Sequence, residues 1–102
     1  MRVMVFFDLP VTKKSQRKAA GDFRKFLIKD GYFMVQFSVY VRVCNGIEQA
    51  EKHRARLKQC IPAEGSVRVM TVTEKQYERM DVLLGKKARE EAPLQYEQLT
   101  IF

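Results

Sequence analysis

The spacing of hydrophobic residues changes several times along the chain, and each change marks a predicted element. Residues 3–7 are continuously apolar, which is typical of a central strand covered on both faces, so a strand is predicted over 1–8. Pro10 interrupts regular structure soon afterwards. Residues 13–30 show the 3.6-residue period of a helix, and Gly31 is placed to end it.

The middle of the chain changes to a period of two. The odd-numbered residues from 33 to 43 are all apolar, whereas the even-numbered ones are mixed. This pattern predicts one long strand or two short strands broken near 36–38, and no Gly or Pro decides between them. A second helix is predicted over about 47–60. Its inward-facing residues are predicted to be Ile47, Ala50, Leu57 and Ile61.

The last third contains one more strand, a short helix and an apolar tail. The strand is predicted over 66–72, and the capping box that starts at Thr73 predicts the helix. If the middle stretch forms two strands, the order βαββαβ predicts an α+β, ferredoxin-like sandwich, a fold that does not by itself decide activity. We expect this domain over 1–85 and a C-terminal extension over 86–102.

The tail over 94–102 is too apolar for a free terminus, which usually ends polar. Its alternating residues suit an extra strand added to an edge of the partner protomer or of another protein. The alternative is that the tail folds back on its own core. A homodimer with C-terminal extra strands is predicted, because one sheet of this fold leaves an apolar face or edge to cover and a lone Asp8 makes a poor metal site.

Charge narrows the class of partner. The 102 residues carry a net charge of +7, and the sequence pI is about 9.7. A polyanion, most often nucleic acid, is the partner that such a balance favours, and the alternative is a basic but inert surface. No apolar run approaches a membrane span, and no signal peptide is visible, which predicts a cytoplasmic protein. Cys44 and Cys60 are too few ligands for a structural zinc site.

The first helix concentrates positive charge on one face, opposite its apolar arc. The residues of that basic face are Lys14, Arg17, Lys18, Arg24, Lys25 and Lys29. Six like charges repel one another unless phosphates neutralise them, although an ordinary solvated face is the alternative. Lys13 and Lys14 also stand at the helix start, where backbone N–H groups favour an anion.

Asp8 ends the buried first strand and is the main candidate for chemistry. A carboxylate there could cap the following turn or hold a divalent cation. A single Asp per chain is too few carboxylates for metal-dependent catalysis, but two Asp8 side chains brought together across a dimer axis would suffice to hold the metal ion. His53 is expected at the surface. Phe37 and Tyr40 could stack bases, but alternation places them on opposite faces, so at least one is core.

Three segments of the sequence match the motifs of one known family. Residues 5–10, Val-Phe-Phe-Asp-Leu-Pro, match a first-strand motif. Residues 36–40, Gln-Phe-Ser-Val-Tyr, match a second-strand motif, and 73–77 match a Thr-Glu-x-Gln-aromatic motif. Together they resemble the CRISPR-associated protein 2 family, and the match runs in order from the first residue to about Gly85. Length and tail look most like members from type II systems.

The resemblance implies a ferredoxin-like homodimer of antiviral defence that binds protospacer DNA in the spacer-acquisition complex. Its partner there is the integrase, CRISPR-associated protein 1. Many members are metal-dependent endonucleases acting on single-stranded RNA or double-stranded DNA. The metal carboxylate corresponds to Asp8, which implies one Mg²⁺ or Mn²⁺ shared between two Asp8 side chains across the dimer axis. The expected nucleic-acid-binding residues are Lys13, Lys14, Arg17, Lys18, Lys25, Ser38, Tyr40 and Arg42.

Two other functions remain open on the same sequence. The first is a free-standing, toxin-type ribonuclease that uses Asp8 and needs no integrase. The second is a non-enzymatic RNA-recognition module. That module expects Gly and stacked aromatics on its third strand, and residues 36–43 contain no Gly.

Overall fold

The computed structural model describes residues 1–86 and Glu91. Its elements are β1 (Arg2–Asp8), α1 (Lys14–Lys29), β2 (Phe33–Gln36), β3 (Val39–Val43), α2 (Gly46–Lys58), β4 (Ser66–Val72) and α3 (Glu74–Glu78). The strands form one antiparallel sheet in the order β2-β3-β1-β4. The predicted α+β, ferredoxin-like fold is confirmed. The tail over 94–102 lies outside the described residues, so its path and the division at residue 85 stay predictions.

The continuous apolar character of β1 follows from its central position in the sheet. Val3 and Val5 are fully buried in the core cluster that includes the inward side chains of both long helices. Met4 faces the opposite side, where it packs with Val41 and Tyr77 in a second cluster. Both faces of β1 are therefore covered, as the unbroken run of apolar residues predicts.

A hairpin turn divides the alternating stretch into β2 and β3. Ser38 takes a φ of 64°, in the left-handed region that few residues other than Gly adopt. The β2–β3 register also shifts between Met34 and Gln36. The carbonyl of Ser38 accepts a hydrogen bond from the backbone N–H of Phe7 at 3.1 Å, which attaches the turn to β1. The two-strand alternative is therefore the correct one.

Helix α1 begins and ends one residue inside its predicted limits. At its start, the Gln16 side chain accepts a hydrogen bond from the Lys13 backbone N–H at 2.9 Å. At its end, Gly31 has a φ of 94°, as expected for the residue that closes a helix. Ala20, Phe23 and Leu27 are its buried residues.

Helix α2 buries a different set of residues from the one predicted. Ala50 and Leu57 are buried, but Ile47 and Ile61 are more than half exposed. His53 takes an inward position and is only 6% exposed, so the expectation of a surface histidine is wrong. Its Nδ1 lies 2.9 Å from the Asp30 carboxylate, a buried acceptor that compensates for the loss of water around the ring.

The short helix α3 has the predicted capping box. The Gln76 backbone N–H donates to the Thr73 hydroxyl at 3.1 Å, and the Thr73 N–H donates to the Gln76 side chain at 2.9 Å. Buried Arg2 also donates to Glu74 at 2.9 Å, which ties α3 to the start of β1. No helix in the described part of the chain combines the length and apolar character needed to cross a bilayer.

Candidate metal and nucleic-acid site

Asp8 is the last residue of β1 and is exposed where the strand leaves the sheet. It pairs with Ser66, the first residue of β4. Just before that strand, Gly65 has a φ of 105°, and a Cβ added there would lie 2.7 Å from the Asp8 carbonyl oxygen. A side chain at position 65 would collide with the Asp8 backbone, so only Gly allows the chain to enter β4 this close to Asp8.

The Asp8 carboxylate has no protein partner within residues 1–86 and 91: none of them forms an ion pair or hydrogen bond with it. The turn-capping role that the sequence left open is therefore not observed there. Hard carboxylate oxygens are ligands that Mg²⁺ prefers. In the same part of the chain, no group of three or more His, Cys, Asp or Glu residues could hold a metal ion. Asp8 thus provides the kind of oxygen ligand that Mg²⁺ prefers. Within the described residues, however, no second carboxylate of the same protomer joins it.

Ser38 is brought to the same end of the sheet as Asp8. The hydrogen bond from Phe7 to the Ser38 carbonyl places the β2–β3 turn beside the last two residues of β1. Ser38 is partly buried, and its left-handed backbone is the single positive φ at a non-glycine residue among the described positions. Such strain is retained most often at functional sites.

Tyr40 and Arg42 do not join Asp8 at the surface, Tyr40 because it is buried beneath this end of the sheet and Arg42 because it lies far from it. Tyr40 is 5% exposed, and its ring stacks on Phe7 with centroids 5.6 Å apart. Arg42 pairs with Val3, which lies about 17 Å along β1 from Asp8. The Arg42 guanidinium donates to the carbonyls of Asp30 and Val43, each at 2.7 Å. Both side chains act in packing, and neither belongs to a surface around Asp8.

The basic residues predicted on the first helix differ in whether other residues of the protein bind their side chains. Lys13, Lys14 and Lys25 are exposed, and no ion pair holds them within the described chain. Arg17 instead donates to the carbonyls of residues 11 and 12, at 3.1 and 2.8 Å, so it orders the loop that follows β1. Lys18 pairs with Asp22 at 2.9 Å.

The exposed Lys18–Asp22 pair also changes the pKa of its carboxyl group. The Lys18 hydrogen bond and charge hold the pKa of Asp22 below its usual value. Both side chains are more than half exposed, so water and salt screen the pair. A phosphate could therefore compete with Asp22 for Lys18.

The structure adds Phe37 and Arg24 to this region. Phe37 lies on the β2–β3 turn and is 79% exposed. The Arg24 guanidinium carbon lies 5.3 Å from the Phe37 ring centroid and 5.6 Å from that of Phe7. The sequence shows Arg24 on the basic face and Phe37 as one of two candidate stacking residues. It does not show that a turn brings them together.

Comparison with known proteins gives a consistent family. The chain matches the family described as CRISPR associated protein Cas2 over residues 1–80. It is 51% identical over 102 residues to CRISPR-associated endoribonuclease Cas2 of Acidovorax ebreus (strain TPSY), which covers the whole of both chains. It is 48% identical over 90 residues to the protein of the same name from Ligilactobacillus salivarius (strain UCC118), with 88% of this chain and 89% of that one covered.

Among solved structures, the crystal structure of Streptococcus pyogenes Cas2 at pH 6.5 has the same fold. The TM-score is 0.61 at 24% sequence identity, and the match covers 81% of this chain and 99% of that one. The resemblance of the three sequence motifs is thus confirmed over most of the chain. The protein belongs to the CRISPR-associated protein Cas2 family.

Proposed function

We propose that this protein is a dimeric, DNA-binding component of the CRISPR spacer-acquisition complex, with the integrase CRISPR-associated protein 1 as its partner. Family membership supports the CRISPR role. The observation that carries the nucleic-acid interface is the exposure of Lys13, Lys14 and Lys25, none of which forms an ion pair within the described residues. In a chain of net charge +7, exposed lysines that the described residues leave without an ion pair are available for phosphates. Membership of a type II system is part of the same proposal.

We further propose a metal-dependent endonuclease activity at Asp8. Relatives are named endoribonucleases, and the Asp8 carboxylate is exposed and unpartnered within the described chain. When bound, Mg²⁺ or Mn²⁺ neutralises phosphate charge and makes bound water more acidic. Asp8 would hold that ion together with Asp8 of a second protomer, and Lys13 and Lys14 would bind phosphates beside it. The substrate is single-stranded RNA or double-stranded DNA.

The second candidate is a free-standing metal-dependent ribonuclease. The name of the Acidovorax relative, which is 51% identical over its full length, favours it. The RNA-recognition module has less support. Tyr40 is buried, and Phe37 lies on a turn instead of on the sheet.

One experiment separates the two main candidates. The full chain and the integrase are mixed and passed through a sizing column, and incorporation of a labelled DNA duplex into a CRISPR repeat array is measured. The proposal expects co-elution, and it expects incorporation to require this protein. With Asp8→Asn, incorporation should persist while cleavage is lost. RNA cleavage by a protein that neither binds the integrase nor supports incorporation would establish the ribonuclease instead.

A further inference from the structure

Phe37 is a large apolar side chain held in solvent. Its ring is 79% exposed on the turn between β2 and β3, whereas Phe is among the residues most often buried. The other aromatic of this segment, Tyr40, is in the core. Folding of the protomer therefore does not explain why an aromatic ring stands at this position.

The position of the ring is fixed from two sides. The next residue, Ser38, has a left-handed backbone, and its carbonyl is hydrogen-bonded to the Phe7 N–H at 3.1 Å. Partly buried Arg24 reaches from α1 and lies 5.3 Å from the Phe37 ring centroid. Arg24 also lies 5.6 Å from the ring of Phe7, which itself packs edge-on against Phe23. The exposed Phe37 ring is thus positioned by Arg24, whose guanidinium also contacts the core residue Phe7.

We propose that Phe37 and Arg24 form a stacking platform for the base of an unpaired nucleotide. Exposed aromatics and arginines are the side chains on which unpaired bases stack, because every base has a π-face and the contact tolerates any sequence. The turn is hydrogen-bonded to the residue before Asp8, so a strand with its base on Phe37 passes the exposed end of β1. The basic face of α1 supplies the charge that attracts its phosphates. This inference rests on the proposed nucleic-acid binding and adds that the protein engages a single-stranded or extruded segment.

The first test separates binding to the bases of a nucleic acid from binding to its sugar-phosphate backbone. Phe37→Ala is titrated with oligothymidylate and with an abasic oligomer of the same length and charge. We expect roughly tenfold weaker binding to oligothymidylate, as for the loss of one stacked base. Binding to the abasic oligomer and the dependence of affinity on salt should not change. Phe37→Trp should restore binding, and thermal melting should show that both variants are folded.

The second test uses fluorescence. The chain contains no tryptophan, so Phe37→Trp introduces a single indole. A base stacked on that indole should quench its emission. Leu83→Trp, at a site that is 94% exposed, is the control and should be quenched little.

Each contrary outcome has a distinct meaning. If Phe37→Ala binds oligothymidylate as tightly as the unaltered protein, or loses affinity equally for the abasic oligomer, the platform is refuted while nucleic-acid binding stands. If the unaltered protein binds neither oligomer nor duplex DNA, the proposed function fails. If Phe37→Ala instead dissociates a dimer in sedimentation, and the indole of Phe37→Trp is already shielded without nucleic acid, Phe37 is a contact between two copies and the platform is wrong.

Discussion

At the scale of single residues, Asp8 carries the proposed nuclease activity. Asp8→Asn keeps the shape of the side chain and removes its charge, so cleavage of RNA or DNA in the presence of Mg²⁺ should be lost. The melting temperature should change little, because the carboxylate is exposed and has no partner in the described chain. Asp81→Asn, at another exposed aspartate, is the matched control and should leave cleavage intact. Full activity in Asp8→Asn would remove the basis for the metal site.

A second residue-scale prediction concerns stability. Asp30 is 6% exposed, and its carboxylate lies 2.9 Å from His53 Nδ1 and 2.7 Å from Arg56 Nη2. Asp30→Ala would leave the ring of His53 buried without its acceptor, so we expect the free energy of unfolding to fall by about 2–4 kcal/mol. Urea unfolding measures this loss. Asp22→Asn, at an exposed carboxylate, should have a much smaller effect, and equal losses in the two variants would contradict the argument.

Individual site residues differ in how well the sequence predicts them. Asp8 is singled out by its place at the end of an apolar strand, and its role as a metal ligand stays a prediction. Tyr40 matches a motif, but a motif does not distinguish a residue that binds a ligand from one that packs beneath it. The sequence does not predict the buried position of His53, because its partner Asp30 is 23 positions away and no local pattern links the two.

At the scale of elements, α1 is expected to control the electrostatic part of binding. Lys14 and Lys25 are exposed and unpaired among the described residues, so each is available to one phosphate. Changing both to Ala should lower the slope of log affinity against log salt by about 2 for each protomer that contacts the nucleic acid, with equal losses for unrelated sequences. Titrations at several salt concentrations provide the measurement. Lys75→Ala on α3 is the control, and a loss limited to one sequence would contradict phosphate contact.

The β2–β3 hairpin shows why the sequence leaves the choice between one strand and two open. Period-two alternation continues through residues 33–43, because the register shift between Met34 and Gln36 makes odd-numbered residues face odd-numbered ones again, as Phe33 faces Val41. Turns are usually recognised by Gly, Asn or Pro, yet here Ser38 adopts the left-handed conformation. The sequence therefore predicts the faces of the strands, and it offers the break near 36–38 only as one of two alternatives. The exposed position of Phe37 depends on that break.

At the scale of the whole molecule, the order of elements follows from hydrophobic spacing, whereas assembly does not. The long helices contribute to the cluster of Val3 and Val5 on one face of β1. Met4 lies on the other face with the partly buried Phe6 and Phe33. The sequence predicts that β1 is buried on both sides. It does not identify how much of the second face a protomer covers for itself, so the dimer, which the family resemblance and the single carboxylate of Asp8 favour, stays a prediction.

A mixing experiment tests whether two protomers share one metal site. The unaltered protein and Asp8→Asn are unfolded together in equal amounts and refolded, so that about one quarter of the dimers carry two Asp8 side chains. If both carboxylates hold the same ion, about 25% of the Mg²⁺-dependent cleavage should remain at equal total protein. If each protomer works alone, about half should remain. Asp81→Asn mixed in the same way should leave activity complete, and retention of half the activity with Asp8→Asn would rule out a shared ion.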